Sequence, residues 1–224
     1  MEEKKFAEGF CFYKLFWVFL FGCLFGNYYE EILTLVVHYH NHHEFIWQLK
    51  RGVMYGPISP IYGFGALLMV LLLARKKRSD WKTFFLGAII GGSFEYLCSF
   101  FQEMIFGTVS WDYTNEFLNI HGRTTIPFAF VWGFLAVVMI KIFYPSISSI
   151  IEELPIKYGT ILTKTLILLI SIDLFISWGA LFRQVFRHNG YQPVTVMGVI
   201  FDKYYPDEVI RKKQEYMTTF EARK

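Results

Sequence analysis

Several carboxylates in this chain stand inside apolar stretches. Glu30 and Glu31 close one such stretch, Glu95 and Glu103 stand in another, and Asp173 lies near the centre of a third. An acid at such a position is costly in a bilayer and normally faces protein, a partner or a water-filled cavity. Glu95, Ser99, Gln102 and Glu103 form one polar stripe, with Glu95 and Glu103 about 12 Å apart along a helix axis. Cations that could answer the acids are Lys50, Arg51 and Arg123, the two arginines each beside a glycine. A planar guanidinium pairs bidentately with a carboxylate or a phosphate. Three kinds of chemistry fit this set: a structural ion-pair lock, a site for a polar substrate, or acids exposed at the membrane interface.

The elements that must carry these groups are membrane helices. The 224 residues are 54% hydrophobic, 20% aromatic and only 18% charged, with 25 Phe and 14 Tyr. An ordinary soluble domain carries about 25% charged residues. A net charge of +3 is small for a nucleic-acid binder, so no nucleic-acid partner is expected. Cys11, Cys23 and Cys98 sit in apolar sequence without metal-ligand spacing, so they read as small buried hydrophobes. Neither a metal nor a cofactor is implied. The expected fold is an all-α polytopic membrane protein whose immediate partner is the lipid bilayer.

Five windows are apolar enough to span, at about 20 residues per crossing: residues 12–37, 57–74, 83–106, 127–144 and 161–182. This divides the chain into a transmembrane domain, 1–182, and a polar tail, 183–224, with a short helix starting near Pro206 and reaching about Glu221. Within that helix, Asp207 and Glu208 precede Arg211, Lys212 and Lys213, an order that suits the helix dipole. It reads as a solvated surface helix or as a protein-docking helix. The densest basic loop holds Arg75, Lys76, Lys77, Arg78 and Lys82, which places it in the cytoplasm. The amino terminus, with Lys4, Lys5 and Lys14, then also lies inside, giving a multi-pass protein of the cell membrane. Five spans would leave the tail outside, against its own Lys and Arg residues, among them Arg187, Lys203, Arg223 and Lys224.

The first four windows contain a repeat. FLFGCLFGNYYEEIL from Phe19 aligns with FFLGAIIGGSFEYLC from Phe84, matching Gly22, Gly26 and Glu30 to Gly87, Gly91 and Glu95. PISPIYGFGALLMV from Pro57 aligns with PFAFVWGFLAVVMI from Pro127, matching Gly63 and Ala66 to Gly133 and Ala136, and Tyr62 to Trp132. Two helix pairs repeated in parallel would be related by an axis along the membrane normal, one of the schemes found in transporters. Glu30 and Glu95 would then converge near that axis, with Arg51 and Arg123 beside them. Small residues four apart also let helices pack closely, so packing alone accounts for the glycines, though not for the acids.

The outer loops supply the remaining polar and aromatic groups. One offers Arg51, Tyr55, Ser59 and Tyr62, and the other Trp111, Asp112, Tyr113, Asn115, Asn119, His121 and Arg123. Gly and Pro at this density predict folded loops, which at membrane depth must be buried in protein. His38, His40, His42 and His43 with Glu44 resemble a metal cluster, but solvated interfacial histidines explain them without a metal. Asp173, flanked by Ser171 and Ser177, could handle an ion or a proton, or could be a hydrogen-bond partner between helices.

These motifs resemble a known family, the CmpB-type or type IV ABC-transporter permeases. The resemblance rests on Arg51-Gly52, Tyr55-Gly56-Pro57, and Pro60-Ile61-Tyr62-Gly63. Phe94-Glu95-Tyr96 with Ser99 and Glu103, Trp111-Asp112-Tyr113, Asn119-Ile120, Gly122-Arg123 and Trp132-Gly133 extend it, and the tail run Phe201-Asp202-Lys203-Tyr204-Tyr205-Pro206-Asp207-Glu208 completes it. The resemblance implies a transport component. The chain has no phosphate-binding GxxxxGK[ST] loop, so ATP-driven transport would need a separate ATPase subunit, docking at the Arg75–Arg78 loop. Two other readings remain open. One is an intramembrane enzyme acting on a lipid or headgroup, with Glu30, Glu95, Glu103 or Asp112 as acid or base and Arg51 or Arg123 as phosphate clamp, although no nucleophile–base pair is recognisable. The other is a non-catalytic accessory protein whose polar pairs hold helices together.

Overall fold

A computed structural model describes residues 5–107 and 109–213. Lys4, Arg223, Lys224 and the part of the expected tail helix beyond Lys213 lie outside the described residues. The chain is almost wholly helical: α1 (Phe12–His42), α2 (Pro60–Met69), α3 (Asp80–Phe106), α4 (Ile126–Val138), α5 (Tyr144–Glu152), α6 (Ile156–His188), α7 (Val196–Tyr204) and α8 (Asp207–Lys213). π-helical segments, Val70–Ala74 and Met139–Phe143, continue α2 and α4. A short antiparallel pair, β1 (Asn119–Ile120) and β2 (Thr124–Thr125), forms the only sheet among the described residues.

Among the described residues, four helical stretches are long and apolar enough to cross a membrane: Phe12–His42, Asp80–Phe106, Ile126–Glu152 and Ile156–His188. Pro60–Ala74 is apolar but shorter, because the helix starts at Pro60 and the preceding Pro57 belongs to the loop. The helix expected over 161–182 runs on to His188, so Arg183 and Arg187 are helical residues.

The chain divides into two compact units. The first gathers the start of α1 to Cys23, Pro60–Phe100 and Trp111–Ile167; the second gathers Leu24–Ser59, Phe101–Ser110 and the chain from Leu168 onward. In the first unit, buried Met69, Leu73 and Ala136 pack with Leu86, Ile90, Trp132 and Met139. Fully buried Lys14 is paired with Glu152 and Ser148, so this lysine is a packing group. Close helix contact here depends on two glycines. A Cβ on Gly63 of α2 would lie 2.7 Å from the carbonyl oxygen of Phe19, and one on Gly133 of α4 would lie 2.7 Å from that of Phe84. Their counterparts meet small residues too: Gly22 faces Ala66 and Gly63, and Gly87 faces Ala136 and Gly133.

In the second unit, Met54, Ala180, Phe201 and Ile210 form the core. Fully buried Ile210 makes α8 a packing element over its described residues, rather than a solvated surface helix. Thr195 caps α7 by accepting from the Gly198 amide at 3.0 Å.

Candidate functional site

The polar site of the first unit is built on α3, the β-hairpin loop and the start of α4. The turn of the hairpin is His121-Gly122, both residues having positive φ (52° and 64°), with the Arg123 amide donating to Ile120 O at 3.0 Å. The connection between the paired residues Ile120 and Thr124 is three residues long, and positive φ at its first two lets the chain turn tightly. Glycine is required at 122, since a Cβ there would lie 2.5 Å from Thr114 Oγ1 and 2.9 Å from Asp112 Oδ1. The hairpin brings Thr124 and Thr125 to the head of α4. There Thr125 Oγ1 accepts from the Phe128 amide at 3.0 Å, with Pro127 in the first turn.

Into this arrangement α3 inserts Glu95, which is 8% exposed. Its carboxylate is held by neutral donors. Tyr113 donates to Oε1 at 3.1 Å, and Thr124 and Trp132 donate to Oε2 at 2.6 and 3.4 Å. No cation pairs with Glu95 among the described residues. Tyr113 stacks on Phe128, and Ser99 is buried one helical turn from Glu95. The Arg123 guanidinium lies over the rings of Tyr96 and Phe100, at 5.9 and 5.4 Å from their centroids. The Trp111 indole donates to the Arg123 carbonyl at 2.8 Å. His121 Nδ1 and the Tyr96 hydroxyl share a hydrogen bond of 2.9 Å.

Of the residues expected at the site, Glu95 and Tyr113 touch directly. Trp111 and Arg123 are joined to each other beside them. Asn119 and Asp112 shape the hairpin: Asn119 Oδ1 accepts from the Gly122 amide, and Asp112 Oδ1 from the Thr114 amide, each at 3.0 Å. Tyr62 stands on α2, where its carbonyl meets Gly22. Glu30, Arg51, Tyr55 and Glu103 belong to the second unit. Sequence reasoning missed Thr124 as a ligand of the Glu95 carboxylate. Thr-Thr followed one residue later by Pro127 was the available signal, because that pattern marks a capped helix start.

The second unit has its own polar centre. Asp173 on α6 accepts from the Tyr55 amide at 3.2 Å and the Gly56 amide at 2.7 Å, and Ser177 accepts from the Met54 amide at 2.9 Å. Asp173 therefore anchors the loop that follows Arg51, its partners here being loop amides rather than a neighbouring helix. A Cβ on Gly56 would meet Asp173 Oδ2 at 3.1 Å, which explains the glycine. The Tyr55 and Tyr205 hydroxyls are 2.7 Å apart; burial, with Tyr55 adding to it, pushes the Tyr205 phenol up to about 12. On α1 it is Glu31, not Glu30, that is buried (2% exposed), accepting from Asn27, Trp47 and the Lys50 amide. The His38 and His42 rings lie 4.7 Å apart, tilted by 37°, and no group of three or more metal-ligating side chains occurs among the described residues.

Charges also close the carboxy-terminal side of this unit. Arg183 holds Asp202 through two bonds of 2.8 Å, and Arg187 reaches both Asp202 and Asp207. The Arg183 guanidinium, with Arg187 adding to it, holds the Asp202 carboxyl below the usual carboxylate range.

A sequence model of the family described as "Putative ABC-transporter type IV" matches residues 17–178. No curated protein and no solved structure matches the chain.

Proposed function

The chain belongs to the type IV ABC-transporter family, and from that premise we propose that it is the membrane-embedded permease component of a transporter, with the Glu95 cluster contacting the substrate. One observation carries this reading. A carboxylate buried in a candidate membrane span is held by two hydroxyls and an indole, with no counter-cation among the described residues. A group kept only for packing would gain more from an ion pair or an apolar replacement. Neutral donors orient the carboxylate and leave its charge available to a ligand.

Energy would come from a separate ATPase. The turn after the Val70–Ala74 segment supports this reading. Arg78 donates to the carbonyls of Leu73 and Lys76, at 2.6 and 3.1 Å, and so finishes the helix. Lys76 and Lys77 remain exposed for a partner. The test is to purify the chain from its native membrane in mild detergent and assay vanadate-sensitive ATP hydrolysis. Activity should copurify, and should be lost when Lys76 and Lys77 are both changed to Glu. A native complex without ATPase activity would overturn the reading.

In this reading the basic turn and the amino terminus face the cytoplasm, as the basic-loop rule requires. A cysteine at Lys77 is expected to label from the cytoplasmic side, and one at Asn115 from the opposite side. Labelling of position 77 from outside would reverse the orientation.

The two helix pairs are read as a duplication. The contacts of Gly22 with Ala66 and Gly63 match those of Gly87 with Ala136 and Gly133 under the sequence alignment. The contacts of Gly63 with Phe19 and of Gly133 with Phe84 match in the same way, and both support the reading.

A further inference from the structure

By composition the chain after α6 looks like a water-facing tail, but its packing points elsewhere. α7 lies back along α6. The Phe201 ring occupies the space left by Gly179, where a Cβ would meet it, and Asp202 pairs with Arg183 and Arg187. These contacts run from Gly179 to Arg187, about 12 Å of helix, at the carboxy-terminal end of a helix that contains a stretch apolar enough to cross the membrane. α7 therefore packs on the carboxy-terminal end of a candidate membrane span.

The outward surface here is mostly apolar on both helices, with Gln192, Thr195 and Lys203 as exposed polar members. On α6, Trp178, Phe182 and Phe186 are exposed; on α7, Val196, Val199 and Ile200 are exposed, and Val194 just before it is 95% exposed. Such a continuous patch is not a water-facing surface. Between the helices lies a groove of about 380 Å³, lined by Phe182, Phe186, Tyr191, Pro193, Met197 and Phe201, among others. Arg183, the charged residue of this lining, is engaged by Asp202 and by the Tyr191 carbonyl. Two arginines and two aspartates, Arg183, Arg187, Asp202 and Asp207, neutralise one another here. Paired charges are the form in which ionised groups are tolerated at membrane depth.

We propose that residues 191–204 are embedded in the bilayer, with α7 lying against α6 among the lipids and the α6–α7 groove receiving a lipid acyl chain. The occupant is an acyl chain because the patch continues the lipid-facing surface of α6, and because the groove's one cation is already paired. The inference rests on the membrane span and not on the transport reading, so either can fail alone.

The test uses full-length protein with its three cysteines replaced by alanine, reconstituted in phosphatidylcholine–phosphatidylglycerol vesicles. Spin labels are placed singly at the exposed positions Val194, Val196 and Val199, where substitution disturbs little. Collision with oxygen should exceed collision with a water-soluble nickel chelate severalfold at all three. Preferential access of the nickel chelate would place the segment in water and overturn the proposal. Shielding from both reagents would mean that a second copy or another protein covers the patch, and would overturn it equally. For the groove, a bimane at Met197 should be quenched severalfold more by a nitroxide on the acyl chain than by one on the headgroup. The reverse order would exclude an acyl chain as the occupant.

Discussion

Glu95→Gln is expected to abolish transport while leaving the protein folded, whereas Glu95→Leu should destabilise it. The difference follows from the donors around the carboxylate. Glutamine keeps the volume, and its carbonyl oxygen can accept from Thr124 and Trp132, where Oε2 now does. Its amide can then donate to the Tyr113 hydroxyl, which accepts as readily as it donates. Each partner keeps a hydrogen bond to the side chain, the Tyr113 hydroxyl by accepting instead of donating, and the charge is lost. Leucine leaves the same three donors without an acceptor, at about 1–3 kcal/mol for each one that stays buried. Thermal unfolding in detergent should place the glutamine variant close to the parent and the leucine variant well below it. ATPase activity of the purified native complex, and its stimulation by substrate, report the functional arm. A fully active glutamine variant would reduce Glu95 to a scaffold for the hairpin, and the proposed substrate contact would fall with it.

Gly63→Ala and Gly133→Ala should each loosen the helix pair in which they lie, and by similar amounts. At both positions the new Cβ would press on a backbone carbonyl at 2.7 Å, and a backbone cannot rotate out of the way as a side chain can. The helices must part, at a cost typical of overpacking, about 1–3 kcal/mol. Alanine otherwise favours a helix over glycine by about 1 kcal/mol, so the sign of the effect isolates the contact. Gly65→Ala is the control on the same helix: its Cβ would meet nothing closer than 3.5 Å, so this variant should be neutral or stabilising. Unfolding temperatures of the three variants decide the matter. Strong destabilisation at one of the two equivalent glycines and tolerance at the other would argue against a duplicated packing unit.

How much of this was legible beforehand depended on whether the determining interactions were local. Apolar run length specifies membrane helices because an unpaired backbone in lipid is prohibitive, so the spans near Phe12, Asp80, Ile126 and Ile156 could be read without a structure. The glycine frames were legible for a similar reason, since spacing of four residues fixes a helix face. Glu95 stood out because a lone acid in an apolar helix has no local explanation.

Its ligands did not stand out. Thr124 and Trp132 lie 29 and 37 residues away, and only the hairpin and the N-cap of α4 bring them to one carboxylate. The same distance effect separates Glu30 from Glu31. Adjacent residues on a helix differ by about 100° in direction, and the repeat pointed to Glu30, while burial and the donors from Asn27, Trp47 and Lys50 selected Glu31. Asp173 needed the fold still more, because its partners are backbone amides 117 and 118 residues away and amides carry no sequence signature. At the carboxy terminus, composition marked Arg183 and Arg187 as the end of the membrane region. Pairing across 15 to 20 residues with Asp202 and Asp207 cancels those charges, so the helix continues to His188 and α7 can return along it. Sequence displays the cost of each charge, but the partner that offsets it is decided by tertiary contact.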